Sequence, residues 1–154
     1  MQRLNAQLAE PAAIKAISGL ETYLHQCGLE PSLLELVKTR ASQMNGCAFC
    51  INMHTNDARR AGETEARLYL LNAWRETDIY TERERAALAW TEAITAIVDG
   101  HASDEVYGQV RPHFSDSELV ALTTAVGTIN LWNRISIAFR AIPHVVDHAR
   151  GVAP

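Results

Sequence analysis

The sequence has little that would mark a membrane, nucleic-acid or disulfide-stapled protein. Its longest apolar run, Leu119 to Leu131, is broken by Thr123, Thr124, Thr128 and Asn130. A bilayer core needs about 20 predominantly apolar residues, so this run is too short and too polar to cross one. Positive charge is not in excess: 14 Lys and Arg stand against 18 Asp and Glu, a formal charge of −4. A general nucleic-acid binder would show a basic face instead. Met1 to Glu10 lacks the apolar centre of a secretory signal, which leads to the expectation of a cytoplasmic protein under reducing conditions. Only three cysteines are present. An odd count, with two of them three residues apart, points to chemistry or metal binding more than to a structural crosslink.

What remains is a chain of 154 residues, 47% hydrophobic and 21% charged. That is about one domain's worth, able to bury on the order of 70% of its unfolded surface. No repeat or linker interrupts it, so residues 1–154 are expected to form one domain.

Nearly everything between the punctuation residues reads as helix. Pro11 opens a helix to about Gln26, ended by Gly28. Pro31 opens a second to Met44, broken by Asn45-Gly46. A third runs from about Cys47 to Gly62, and a fourth from Thr64 to Arg75. Thr81 with Glu84, and Ser115 with Glu118, are capping boxes, in which hydroxyl and carboxylate each satisfy a free backbone N–H. They start helices to Val98 and to about Phe139. Ser103 caps a short helix that Pro112 closes. No period-two alternation suggests a strand. The expected fold is an all-α bundle of six to seven helices.

The second helix has an apolar stripe of Leu33, Leu36, Val37, Ala41 and Met44. Arg40 falls inside it and needs an acidic or carbonyl partner, which a subunit interface could supply. Glu35 falls opposite, on the polar side with Lys38 and Ser42, where a carboxylate is ordinarily solvated.

The chemistry concentrates in Cys47-Ala48-Phe49-Cys50-Ile51-Asn52-Met53-His54. Residues three and four apart share a helix face, so Cys47, Cys50 and His54 line one stripe. Two cysteines in an opening turn can approach disulfide distance. The helix amino end stabilises a thiolate, and an imidazole one turn on can accept a thiol proton. Two other readings stay open: inert buried thiols, or a zinc-binding structural or interaction protein with Cys47, Cys50 and His54 as ligands. A thioredoxin-like site fits poorly, because that motif needs a strand before it and a βαβ setting. Cys27, Trp74, Trp90 and Trp132 read as core, and Asn133 and Arg134 as candidates for the pocket or a subunit contact. His144 and His148 are a weak metal pair in the tail.

Glu35, eleven intervening residues, then Cys47, Cys50 and His54 together resemble the pattern of the alkylhydroperoxidase D (AhpD)-like branch of the carboxymuconolactone decarboxylase superfamily. Residues 84–90 and 129–134 resemble further segments of its small members, and the likeness spans about residues 15 to 140. It implies an all-α fold, assembled as a homotrimer or hexamer, and a peroxidase or disulfide reductase of antioxidant defence without a cofactor. By that resemblance Cys50 attacks the peroxide, Cys47 resolves, His54 is the base, and Glu35 relays charge through water. A dithiol reductant or redox partner protein would recycle the disulfide. Phe49 stands where the founding member has a histidine. The decarboxylase branch lacks the cysteine pair, so decarboxylation fits poorly.

Overall fold

The structure, a computed structural model, describes residues 1–143 and residue 145; the tail histidines, His144 and His148, lie outside them. Among the described residues all regular structure is helical, and no helix is long and apolar enough to cross a membrane. The helices are α1 (Ala6–Ala9), α2 (Pro11–Leu24), α3 (Pro31–Asn45), α4 (Ala48–Arg60), α5 (Glu65–Leu70), α6 (Glu82–Thr95), α7 (Ile97–Gly100), α8 (Asp104–Val110) and α9 (Asp116–Phe139), with 3₁₀ turns at Leu71–Glu76 and Arg111–His113.

Most boundaries follow local chemistry. Pro11 and Pro31 occupy first-turn positions, where a missing N–H costs nothing. Both capping boxes form, at Thr81 and Ser115. Three features differ from expectation. The short α1 is additional, capped by the Asn5 side chain. The expected fourth helix changes winding after Leu70. In a 3₁₀ turn residues three apart eclipse, so Leu71 and Trp74 both face inward. The expected fifth helix breaks at Ala96, which leaves helical geometry, and the apolar Val98 beyond it is exposed.

Helix α3 lies at the centre, packed against α4, α6 and α9. Leu33, Leu34 and Val37 join a core with Val110, Phe114, Leu122 and Val126. Leu36 joins Leu71, Trp74, Tyr80 and Leu88 in a second. Its polar side is covered as well: Lys38, Thr39 and Ser42 are buried. The expectation of a wet face carrying Glu35, Lys38 and Ser42 is therefore corrected, because a central helix has no free side.

The charge that α3 buries finds its partner within the chain. Arg40 Nε donates to Glu92 Oε1 of α6 at 2.7 Å, so no subunit interface is needed. The same carboxylate accepts from Trp74 Nε1 at 2.9 Å and from Arg75. Burial works to raise the Glu92 carboxyl, but the hydrogen bonds from Trp74, Arg75 and Arg40 outweigh it and hold it below its ordinary value. Replacing Glu92 by Ala strands a half-buried guanidinium and an indole N–H, an expected cost of roughly 2–4 kcal/mol. Urea unfolding measures it; a loss below about 0.5 kcal/mol, the scale of an ordinary surface substitution, would show that the cluster is ornamental. Because the folded carboxyl is depressed, its contribution is present above the unfolded value and is lost as the pH falls through the folded one.

Candidate active site

Gly46 ends α3 in the left-handed region, at φ 68°, and its N–H bonds back to Ser42 and Gln43 carbonyls. Cys47 N–H follows to Ser42 O at 3.0 Å. This is the glycine-dependent helix stop that L side chains resist. It reverses the chain so that α4 runs back against α3. Residues some eleven positions before the turn then lie opposite residues about eight after it.

Cys47 is the N-cap of α4. Its sulfur accepts from Cys50 N–H at 3.4 Å, doing for the helix what a serine or aspartate oxygen usually does. The two sulfurs lie 2.8 Å apart, within hydrogen-bond reach of each other, and both residues are only 1% exposed. Both are free thiols. Cys50 Sγ also lies 3.8 Å from Ser136 Oγ of α9.

The pair shares charge unequally. The Cys50 thiol donating to it is the largest influence on Cys47. Burial opposes, and the Cys50 N–H, Ser136 and Asn133 reinforce, bringing Cys47 down to about 6. Cys50 is pushed up, first because its proton is held by Cys47, then by burial and by the charge on Cys47. The first thiolate therefore rests at the helix amino end, on Cys47, where the dipole and the free N–H groups favour it.

His54 lies one turn beyond Cys50. It is 5% exposed, and its Nδ1 meets Glu35 Oε2 of α3 at 2.9 Å. The contact is direct. The other nitrogen, Nε2, is buried with no hydrogen-bond partner among the described residues. The residues expected from the sequence thus converge: Cys47 on Cys50, and His54 on Glu35, with Cys50, His54 and Glu35 lining one cavity of about 380 Å³. Cys47 lies behind Cys50 and does not line it.

Several wall residues escaped the sequence reading. Lys38, 4% exposed, lines the cavity and pairs with Glu21 Oε2 of α2 at 2.7 Å. Glu21 Oε1 accepts from Trp132 Nε1 at 3.0 Å, which makes Trp132 a wall residue and not only core. Phe49 and Met53 supply apolar surface, and Ser136 a hydroxyl. The available signal was spacing: Lys38 is one turn from Glu35 and Ser136 one turn from Trp132. The remaining candidates divide. Asn133 is fully buried beneath the thiols, donating to Ser42 Oγ at 3.0 Å and accepting from Asn45 at 2.8 Å. Arg134 is tied to its own helix through Asn130. Trp90 donates to Thr123, and Cys27 to the Leu24 carbonyl, both away from the cavity.

The sulfur-based zinc set does not gather. Among the described residues, the ligand atoms that cluster within 4.8 Å of one another belong to Glu35, His54 and Asp57, with neither sulfur among them.

Comparison with known proteins agrees with this architecture. Residues 11–93 match the model of the carboxymuconolactone decarboxylase family. The uncharacterized protein YdfG of Bacillus subtilis is 47% identical over 137 residues, covering 89% of this chain and 93% of that one. The uncharacterized protein YnjA of Escherichia coli is 30% identical over 111 residues, 71% of this chain and 60% of its own. A crystal structure of an Agrobacterium tumefaciens protein of unknown function, described as a candidate antioxidant defence protein AhpD, superposes with a TM-score of 0.92. It is 44% identical and covers 95% of this chain and 100% of that one. The debrominase Bmp8 has the same fold at 20% identity, with a TM-score of 0.78 over 88% of this chain and 73% of its own. With a family pattern over more than half its length and a relative 47% identical along most of it, the chain belongs to the carboxymuconolactone decarboxylase family as an AhpD-like member.

Proposed function

We propose that this protein is a thiol-dependent peroxidase or disulfide reductase of antioxidant defence, with Cys50, Cys47, His54 and Glu35 as its working residues. The observation that carries it is the pair of free sulfurs 2.8 Å apart at a helix amino end, one of them opening onto a cavity that His54 and Glu35 also line. Two thiols so placed can pass two electrons to a substrate by closing a disulfide. The likeness to a candidate antioxidant defence protein supports the reading from a second direction.

Accessibility decides which sulfur attacks. The thiolate rests on Cys47, but a substrate in the cavity meets Cys50. The Cys50 proton therefore passes to Cys47, 2.8 Å away, or to His54 Nε2, which has no other partner among the described residues. The Cys50 thiolate attacks the distal oxygen of a hydroperoxide. The O–O bond breaks, Cys50 becomes a sulfenic acid, and the alkoxide leaves as an alcohol, taking back the proton that Cys50 had passed to His54 or Cys47. Glu35, in contact with Nδ1, stabilises the imidazolium in between. Cys47 then attacks the Cys50 sulfur, expelling water and closing the disulfide. A dithiol, free or on a partner protein, restores both thiols by two exchanges. With a disulfide substrate, the same Cys50 thiolate attacks sulfur in place of oxygen.

Single substitutions separate the roles. Treated with an organic hydroperoxide, Cys47→Ser is expected to hold a sulfenic acid on Cys50 that a sulfenate-trapping reagent labels. Cys50→Ser is expected to label far less, because Cys47 is walled off. A strong label in Cys50→Ser with none in Cys47→Ser would reverse the assignment, and none in either would end it.

Titration tests the electrostatics. Thiolate ultraviolet absorbance is expected to rise by one thiolate per chain with a midpoint at about 6, while the second thiol stays protonated well above the ordinary thiol range. The sign follows from the depressed value: the thiolate is present above that midpoint and is lost as the pH falls through it. Cys50→Ala removes the donor and should shift the midpoint upward. Read in a Cys27→Ser chain, so that only the pair contributes, a first midpoint in the ordinary thiol range would show that the sulfurs do not share a proton.

A further inference from the structure

We infer that Glu35, His54 and Asp57 form a reversible binding site for a divalent transition-metal ion, and that an ion there switches the thiol chemistry off. The switching half rests on the function proposed above; the binding half does not.

The geometry comes from the same helix pair. His54 and Asp57 are three apart on α4 and share a face, while Glu35 reaches across from α3. One nitrogen and two carboxylate oxygens lie within 4.8 Å of one another, and all three residues line the cavity. Such a set suits the first-row divalent ions that accept imidazole together with carboxylate. Three protein ligands leave a fourth position for water or an incoming group, the pattern of an open site.

Local charge favours a cation. Lys38, the buried cation of this wall, is committed to Glu21 at 2.7 Å. Among the described residues the Asp57 side chain pairs with Arg60 alone, at 3.0 Å, the two side chains being 45% and 80% exposed. An exposed pair of that kind is worth little and yields readily to a stronger cation. The second observation is in the imidazole itself: His54 is buried, yet Nε2 has no hydrogen-bond partner among the described residues.

The consequence follows from counting protons. A neutral imidazole has one N–H and one lone pair. An ion on either nitrogen takes the lone pair, so the other nitrogen must carry the proton. Metal-bound His54 can then donate but cannot accept, and it no longer serves as a base for Cys50. The ion also claims Glu35, which would otherwise stabilise the imidazolium. Binding and base catalysis are therefore mutually exclusive, with no group oxidised or reduced by the ion.

The test uses cobalt(II) and zinc(II) on the full chain with Cys27, Cys47 and Cys50 all replaced by Ser, so that no cysteine sulfur can be the ligand. Calorimetry is expected to find one ion per chain, and cobalt to give visible ligand-field bands without a sulfur charge-transfer band. Asp57→Asn in that background should weaken binding by about tenfold or more, since even groups that merely orient a ligand are worth about 10–100-fold. No binding to the cysteine-free chain, or equal binding by Asp57→Asn, would overturn the site whatever the protein does with peroxide. In the chain with both thiols, zinc should slow peroxide-driven loss of free thiol, and Asp57→Asn should need about tenfold more zinc for the same fractional slowing relative to its own zinc-free rate. If zinc binds the cysteine-free chain but leaves that rate untouched, the site stands and the switch falls. If the thiols do not react with peroxide at all while binding persists, it is the proposed function that fails.

Discussion

The left-handed turn at Gly46 is the constraint on which the site depends. It stops α3, supplies the bonds that start α4, and sends the chain back antiparallel. One consequence is that Cys47 sits at a helix N-cap, where its sulfur takes a backbone N–H and its charge meets the positive end of the dipole. Another is that Glu35 on the outgoing helix faces His54 on the returning one. The spacing of glutamate, two cysteines and histidine is thus the arithmetic of a helical hairpin. At about 1.5 Å of rise per residue, moving any of the four by a residue or two would turn it to a different face.

The surroundings fix that hairpin in depth. Helix α3 is buried on both sides, by apolar cores on one and by α4 and α9 on the other. Its two cations are each satisfied within the chain, Arg40 by Glu92 and Lys38 by Glu21. Glu21 also holds Trp132, so one carboxylate joins α2, α3 and α9 at the cavity wall. Asn133, linked to Asn45 and Ser42, does the corresponding work beneath the thiols. Burying polar groups is costly unless every one is paired, and here the pairing orients the walls of a site.

The helices were legible because their ends are written in local chemistry. Prolines at first-turn positions, a glycine at the left-handed stop and two capping boxes act within four residues of where they sit. The face of Glu35 was not legible in that way. Periodicity assumes one dry side and one wet side, and it assigned Glu35, Lys38 and Ser42 to water. A central helix has two dry sides, and only the family pattern pointed Glu35 inward. Lys38 illustrates the same limit, since its partner Glu21 lies 17 residues away on another helix. The winding change at Leu71 escaped because residues three apart look alike in an α-helix and a 3₁₀ turn until tertiary packing selects between them.

Everything chemical rests on two sulfurs that can bond to each other without rearranging the fold. Intact-mass measurement of the reduced protein after treatment with one equivalent of an organic hydroperoxide tests this directly. The expected product is about 2 Da lighter, from the loss of two hydrogens on disulfide closure, with Cys47 and Cys50 crosslinked in the peptide map. An unchanged mass, or a product heavier by added oxygen with no crosslink, would contradict it.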